Sequence, residues 1–304
     1  MSKYLLPLFV CLIISTLVTS CVTDYKGDFP EIVSLPVLNA IICDDSLLRA
    51  SLTWSMPPKS GSSAAVVANG EIDLYANGAY KASLLNNGNG NYDLPNHVAL
   101  HKDTLYTLKA WGSGFDTLVG STIVPQKPKT EISMERASYS VNYKLTITDT
   151  ISTYSALWIY VCMVDSNANI INDREMTLFG DGRLADDFNR SIDASGTMSG
   201  GSFIYVYEKC IRIDRQSLVN GVGEIKFTAS TQGATRVFIL AASPEYDKYC
   251  KGAFMQEIES LNLELPFTYN NVLVPSNISN GIGVFGGYSI KSYDFEDPYR
   301  FQNN

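Results

Sequence analysis

The sequence predicts a mainly β protein: an N-terminal immunoglobulin-like or transthyretin-like β-sandwich, followed by a second β-sandwich domain that carries one helix. Three observations predict it. Short runs of alternating apolar and polar residues recur along the chain between turn residues, the period-2 pattern of strands with one buried face. Pro125-Gln126-Lys127-Pro128 interrupts the series and marks a boundary between two such sets. In the second set alone, one stretch repeats its apolar residues close to helical spacing.

Ahead of the first strand, "MSKYLLPLFVCLIISTLVTSC" has a single cation, Lys3, then an apolar run from Tyr4 to Val18 and a small-residue exit. This is the layout of an export signal, and it is too short for a comfortable membrane span. The exit, Val18-Thr19-Ser20-Cys21, resembles a bacterial lipobox. Residues 1–20 are therefore expected to be removed, leaving Cys21 acylated as the first mature residue. An ordinary secretory signal with a coincidental cysteine is the competing reading. Several acyl chains on one residue make a stable anchor where one is marginal, so the expected protein is tethered to a membrane without spanning it. Residues 21–36, with Asp24, Lys26, Gly27 and Asp28, are polar and turn-rich and read as the tether.

The first sandwich is expected over residues 37–126. "VLNAIIC" and "LLRASLTW" are separated by Asp44-Asp45-Ser46, and Asn77-Gly78 makes the hairpin turn inside "EIDLYANGAYKASLL". "NNGNGNY" reads as a loop, "TLYTLKAW" alternates, and "TLVGSTIV" closes the set. The second domain is expected over residues 127–304, with strands in "YSVNYKLTITDT", "SALWIYVCMV", "GSFIYVYEKCIRI", "GEIKFTAS" and "TRVFILAAS". The helix is expected near 243–261: Ser243 can cap it, Pro244 suits its first turn, and Tyr246, Tyr249, Cys250, Ala253, Met255, Ile258 and Leu261 follow at helical spacing. Gly252 inside it costs about 1 kcal/mol relative to alanine. Trp54, Trp111 and Trp158 fall in strand patterns and read as core.

Without Lys3 the mature chain has 22 basic against 31 acidic residues, a formal charge of −9. Such a surface repels phosphate backbones, so no nucleic-acid partner is expected. Of the six cysteines, Cys43, Cys162, Cys210 and Cys250 remain after the signal and the lipidated residue. None has CxxC spacing, and they read as small buried side chains with room for one disulfide.

The motifs that carry chemistry elsewhere fail here on context. Gly281-x-Gly283-x-x-Gly286 has dinucleotide-fingerprint spacing, but Pro275 and a polar run precede it and no helix of adequate length can follow before the chain stops. It reads instead as a glycine-bracketed strand, "GVFGGYSI", entered by an Asn280-Gly281 turn. His97-x-x-x-His101 has the spacing of a helical zinc pair, yet Pro95 and strand patterns flank it and the chain has no third histidine. Asp165-x-Asn167-x-Asn169 begins like a calcium loop, but Ile170 stands where glycine is needed and Met176 where glutamate is, so a hairpin loop is expected. Asp181, Asp186 and Asp187 could supply a looser calcium site. No metal, no cofactor and no catalytic residue are expected, and a hydrolase using two carboxylates is the least favoured function. Tyr288, Tyr293, Phe295, Tyr299 and Phe301 crowd the C-terminal stretch "YSIKSYDFEDPYRF". Tyrosines build recognition surfaces, so these are a possible binding surface; the plainer reading is that they pin the C-terminal segment to the sandwich.

The lipobox, "LPVLNAIICDDSLLRASLTW", "ASPEYDKYCKG" and "NISNGIGVFGG" together resemble a Bacteroidota outer-membrane lipoprotein family known as a domain of unknown function of the DUF4249 type. The resemblance covers nearly the whole mature chain and is most specific at Ser243-Pro244-Glu245-Tyr246 and Asn277–Gly286. It implies a lipid-anchored protein of the outer membrane, facing the cell surface, that accompanies a TonB-dependent barrel in nutrient uptake and takes an unknown ligand. It implies no catalytic residue. Acidic residues soon after Cys21 also resemble surface-export signals. An adhesive or structural surface lipoprotein is the alternative.

Overall fold

Alternation becomes pairing wherever a run can bury one face. The computed structural model describes residues 33–44, 47–56, 64–137, 140–150, 153–165, 167–171, 176–180, 197–199, 202–207, 209–231, 233–261 and 273–296; Cys21, Asp181, Asp186, Asp187, Tyr299 and Phe301 lie outside them. Ser34–Asn304 forms one compact unit.

The first set of strands is β1 (Pro36–Cys43), β2 (Leu48–Trp54), β3 (Glu71–Ala76), β4 (Ala79–Ser83), β5 (Leu85–Gly88), β6 (Asn91–Asp93), β7 (Leu105–Trp111) and β8 (Leu118–Ile123). Asn77 and Gly78 both take positive φ, 49° and 83°, and turn β3 into β4, as a hairpin of this type requires. "NNGNGNY", expected as a loop, instead forms the β5–β6 hairpin. Asn89-Gly90 is itself a hairpin-turn dipeptide, with φ of 53° and 77°.

The second set is β9 (Thr130–Arg136), β10 (Val141–Thr148), β11 (Ala156–Met163), β12 (Leu178–Gly180), β13 (Thr197–Ser199), β14 (Ser202–Tyr207), β15 (Ile211–Asp214), β16 (Val222–Ala229) and β17 (Thr235–Ala242). A helix, α1 (Pro244–Leu261), follows, and β18 (Ile278–Ser279) and β19 (Ile282–Phe295) close the chain. "GSFIYVYEKCIRI" divides between β14 and β15, which belong to different sheets.

Three sheets result. An eight-stranded sheet has the order β15-β11-β17-β19-β1-β2-β6-β5, a five-stranded sheet β18-β8-β7-β3-β4, and a six-stranded sheet β13-β14-β12-β16-β10-β9. The eight-stranded sheet is common to both halves of the chain. Inward residues of β1 and β2, such as Leu38, Ile42 and Leu52, share a core with Leu74, Tyr106 and Leu108 of the five-stranded sheet. Inward residues of β11 and β17, such as Ile159 and Ile239, share a second core with Tyr143, Leu145 and Phe227 of the six-stranded sheet.

β19 joins the two. It pairs in parallel with β1 from Val37↔Ile282 to Cys43↔Tyr288 and antiparallel with β17 from Ala242↔Tyr288 to Thr235↔Phe295. Its alternate residues serve both interiors: Phe285 enters the first core, while Tyr293 and Phe295 lie against the second. On the opposite face, α1 covers β11, β17 and β19 through Trp158, Leu240, Ala242, Tyr246, Phe254 and Tyr288. Over β1, β2 and β6 that outer face is open, with Asn39, Ile41, Arg49 and Asn91 exposed. Among the described residues no helix is long and apolar enough to cross a membrane.

Candidate functional site

The helix is seated by its first four residues. Ser243 Oγ accepts from the Tyr246 amide at 3.2 Å, which caps the helix, and from the Gly287 amide of β19 at 3.2 Å. Thr122 Oγ1 of β8 stands 2.9 Å from both Ser243 Oγ and Glu245 Oε2. One buried serine thus ties together a helix start, the closing strand and the five-stranded sheet. Tyr246 then lies flat on β19 because Gly286 beneath it has no side chain: a Cβ there would stand 2.9 Å from the tyrosine. Gly283 is constrained by its backbone, with φ at +127° and the Leu38 carbonyl oxygen 2.0 Å from where a Cβ would sit.

Asn277 holds the turn that leads into β19. Its Oδ1 accepts from the Phe285 amide at 2.8 Å, and its Nδ2 donates to the Phe285 and Ser121 carbonyls at 2.9 and 3.1 Å. The side chain makes the bonds a neighbouring strand would make. Farther along the helix, Asp247 is buried against the sheet and takes a fork from Arg212 of β15: Nε to Oδ1 and Nη2 to Oδ2, both 2.8 Å. Trp158 Nε1 donates to the same carboxylate at 3.0 Å, and Asp214 Oδ2 lies 3.2 Å from Arg212 Nη2. Burial disfavours the guanidinium charge, but the bonds and charge of Asp247, joined by Asp214, outweigh it and raise its pKa.

Where the helix stops covering the sheet, a groove of ≈ 380 Å³ opens, within the span of about 300–1,000 Å³ usual for ligand sites. One wall is aromatic: Tyr249 from α1 and Tyr288 from β19. Tyr246 stands between them in the aromatic cluster, 5.2 Å from the Tyr288 ring centre and 6.3 Å from that of Tyr249. The floor is the outer face of β19, β1, β2 and β6. There the register sets Asn39 between Val284 and Ser51, and Ser51 opposite Asn91. Asn39 Oδ1 accepts from the Val284 amide at 3.2 Å, leaving its amide nitrogen as a donor. Arg49 stands beside this row, 4.0 Å from Asp93. Ring faces, amides, a hydroxyl and a guanidinium are what the groove offers a ligand.

Beside the wall, burial pushes the Cys250 thiol up to about 12, although a hydrogen bond from Tyr246 pulls the other way. The thiol therefore stays protonated and is a poor nucleophile at neutral pH. Cys43, Cys162 and Cys210 are buried.

Of the five C-terminal aromatics, the three described ones do not share one surface. Tyr288 faces the helix and the groove. Tyr293 and Phe295 point to the opposite face, where Tyr293 OH lies 3.0 Å from Thr130 Oγ1 and both rings pack on the second core. Alternation along β19 is the reason, since residues an odd number apart face opposite ways. His97 sits in a turn and His101 in a segment outside helix and strand, both exposed. Asp165 Oδ1 accepts from the amides of Asn167 and Asn169 at 2.7 and 2.9 Å, closing a tight turn on itself. Asn39, Ser51, Asn91 and Tyr249 have no local signature as ligand groups. Period-2 alternation placed the first three on an outer face, but their convergence depends on which strands pair.

The fold and groove define a multi-sheet β protein with an open, aromatic-walled groove beside its one described α-helix. The chain belongs to the family described as Domain of unknown function (DUF4249), whose model matches residues 22–294. No curated protein matches it. Among solved structures, the chain is similar to the collagen adhesin of S. aureus, at 9% identity over 86% of this chain and 96% of that one, with a TM-score of 0.19. It is also similar to the collagen binding domain of the Erysipelothrix rhusiopathiae surface protein RspB, at 8% identity over 87% and 96%, with a TM-score of 0.18. Superpositions this loose carry no argument about function.

Proposed function

We propose that the chain is a lipid-anchored outer-membrane protein, facing the cell surface, that acts as a non-catalytic accessory of a TonB-dependent barrel and holds a nutrient in the groove beside α1. The observation that carries this reading is Val18-Thr19-Ser20-Cys21, read together with a family match that starts at residue 22, directly after the cysteine. Lipidation there would leave the polar tether to hold the sandwiches off the membrane, and Asp24 and Asp28 in that tether favour the outer surface. A sheet face with an aromatic wall, amides, a hydroxyl and one guanidinium suits capture, and the acidic mature chain argues for a ligand other than nucleic acid.

The reading is tested in two steps. Cys21→Ala should move the protein from the membrane fraction to the soluble fraction, and persistent membrane binding would refute the anchor. Mild detergent extraction with affinity capture of the lipidated protein should then recover one TonB-dependent barrel in stoichiometric amount. Recovery of the lipoprotein alone, under conditions that keep other barrel complexes together, would refute the accessory role and favour a free-standing binder or adhesin.

A further inference from the structure

We propose that the groove between α1 and the outer face of β1, β2 and β6 binds a neutral oligosaccharide, an inference that rests on reading the chain as a binding protein. The first argument is the arrangement of hydrogen-bonding groups. Asn39, Ser51 and Asn91 come from three adjacent strands at matched register, Asn39↔Ser51 and Ser51↔Asn91. Strands lie about 4.8 Å apart, so the row is a line roughly 10 Å long of amide, hydroxyl and amide. Such groups both donate and accept, as the successive hydroxyls of a sugar chain do.

The wall supplies the second argument. Tyr249 and Tyr288 bring aromatic rings with a phenol at the tip to the groove, the kind of surface that packs on the apolar C–H face of a pyranose and still satisfies its edge. Depth agrees with an extended ligand: Ile41 and Leu47 in the lining are 36% and 54% exposed, so the cleft is shallow rather than enclosing.

Charge selects the class. Arg49 is the one cation among the described lining residues, and Asp93, just outside them, stands 4.0 Å away and offsets its charge. An anionic ligand would find a single cation with a carboxylate beside it and would meet a mature chain of net charge −9. A peptide adding a strand needs an open sheet edge. Here the main-chain groups of β1 and β2 are already paired on both sides.

The test is affinity electrophoresis of the detergent-solubilised lipidated protein through gels carrying starch, xylan, glucomannan or mixed-linkage β-glucan, with pectin as the anionic comparison. Retardation by at least one neutral polysaccharide is expected, with affinity changing less than about twofold between roughly 0.05 and 0.5 M salt. Tyr249→Ala and Asn91→Ala should each weaken it by about tenfold, while Tyr80→Ala, on an exposed position of β4 outside the lining, should not. An unchanged thermal midpoint in the groove variants shows that they fold. Retardation by pectin alone, by none of the five, or equally in the groove variants would overturn the proposal. Barrel capture without glycan retardation overturns the ligand class and leaves the accessory role; retardation without barrel capture does the reverse.

Discussion

Ser243 and Gly283 show how far one position can commit the chain. Ser243 satisfies a helix-terminal amide and a strand amide with one oxygen. Loss of a capping serine costs about 1 kcal/mol, and the buried Gly287 amide left without the serine oxygen raises Ser243→Ala to about 2 kcal/mol. Gly283→Ala should cost more than that. Its backbone conformation excludes a Cβ, and the new methyl would drive into the Leu38 carbonyl that β1 presents to β19. Chemical denaturation should rank the two in that order, and a neutral Gly283→Ala would mean that the β1–β19 pairing yields easily. The serine's cap was legible in sequence because Ser-Pro before a helical run is a local signal. The glycine's need was only half legible: an Asn-Gly turn announces itself, whereas a carbonyl contributed by a strand some 240 residues earlier does not.

Between elements, the clamp from α1 to β15 governs how the helix sits. Asp247 and Arg212 are both buried and forked together, so removing one partner deprives the other of its closest countercharge, even with Asp214 still 3.2 Å from Arg212. Asp247→Ala should destabilise the protein by about 3–5 kcal/mol, and the double replacement Asp247→Leu with Arg212→Met should cost less than that single change, because the desolvated charges leave together. A double variant as damaged as the sum of the two singles would show that packing at Trp158, rather than the ion pair, holds the helix. Neither residue carries a sequence sign of this pairing, since Arg212 alternates in a strand run and Asp247 looks like a first-turn helix acid. What could be read was the helix itself. Its Gly252 is explained by the segment that crosses it, for a Cβ there would stand 3.2 Å from Pro275.

Across the folded unit, buried phenols and a buried thiol set the alkaline limit. Burial pushes Tyr154 up to about 12, with Asp149 adding to the effect, and pushes Cys250 from 9.0 to about 12; Tyr246 is also raised, by burial first. In each case the native state favours the protonated form. The unfolded chain therefore loses its protons first, and stability held in full below about pH 9 is lost as pH rises toward 12. The urea midpoint should stay level from neutral pH to about 9 and then fall, and in Cys250→Ala the fall should begin nearer pH 10, where the tyrosines take over. A midpoint that stays level up to pH 12 would mean these groups ionise without unfolding anything.

By itself the sequence determined the mainly β class, the turns at Asn77-Gly78 and Asn280-Gly281 and the capped start of α1, because each depends on neighbours a few residues away. Alternation also placed Asn39, Ser51 and Tyr288 on strands with defined faces. Tertiary structure alone decided that β19 lies between β1 and β17, so that one eight-stranded sheet serves two cores. It alone set Asn39, Ser51 and Asn91 in one row beside Tyr249, and Tyr293 and Phe295 on the face opposite to Tyr288. The reason is physical: a strand's periodicity says which residues share a face, but the choice of partner strand and register is made by the burial of whole faces against distant segments.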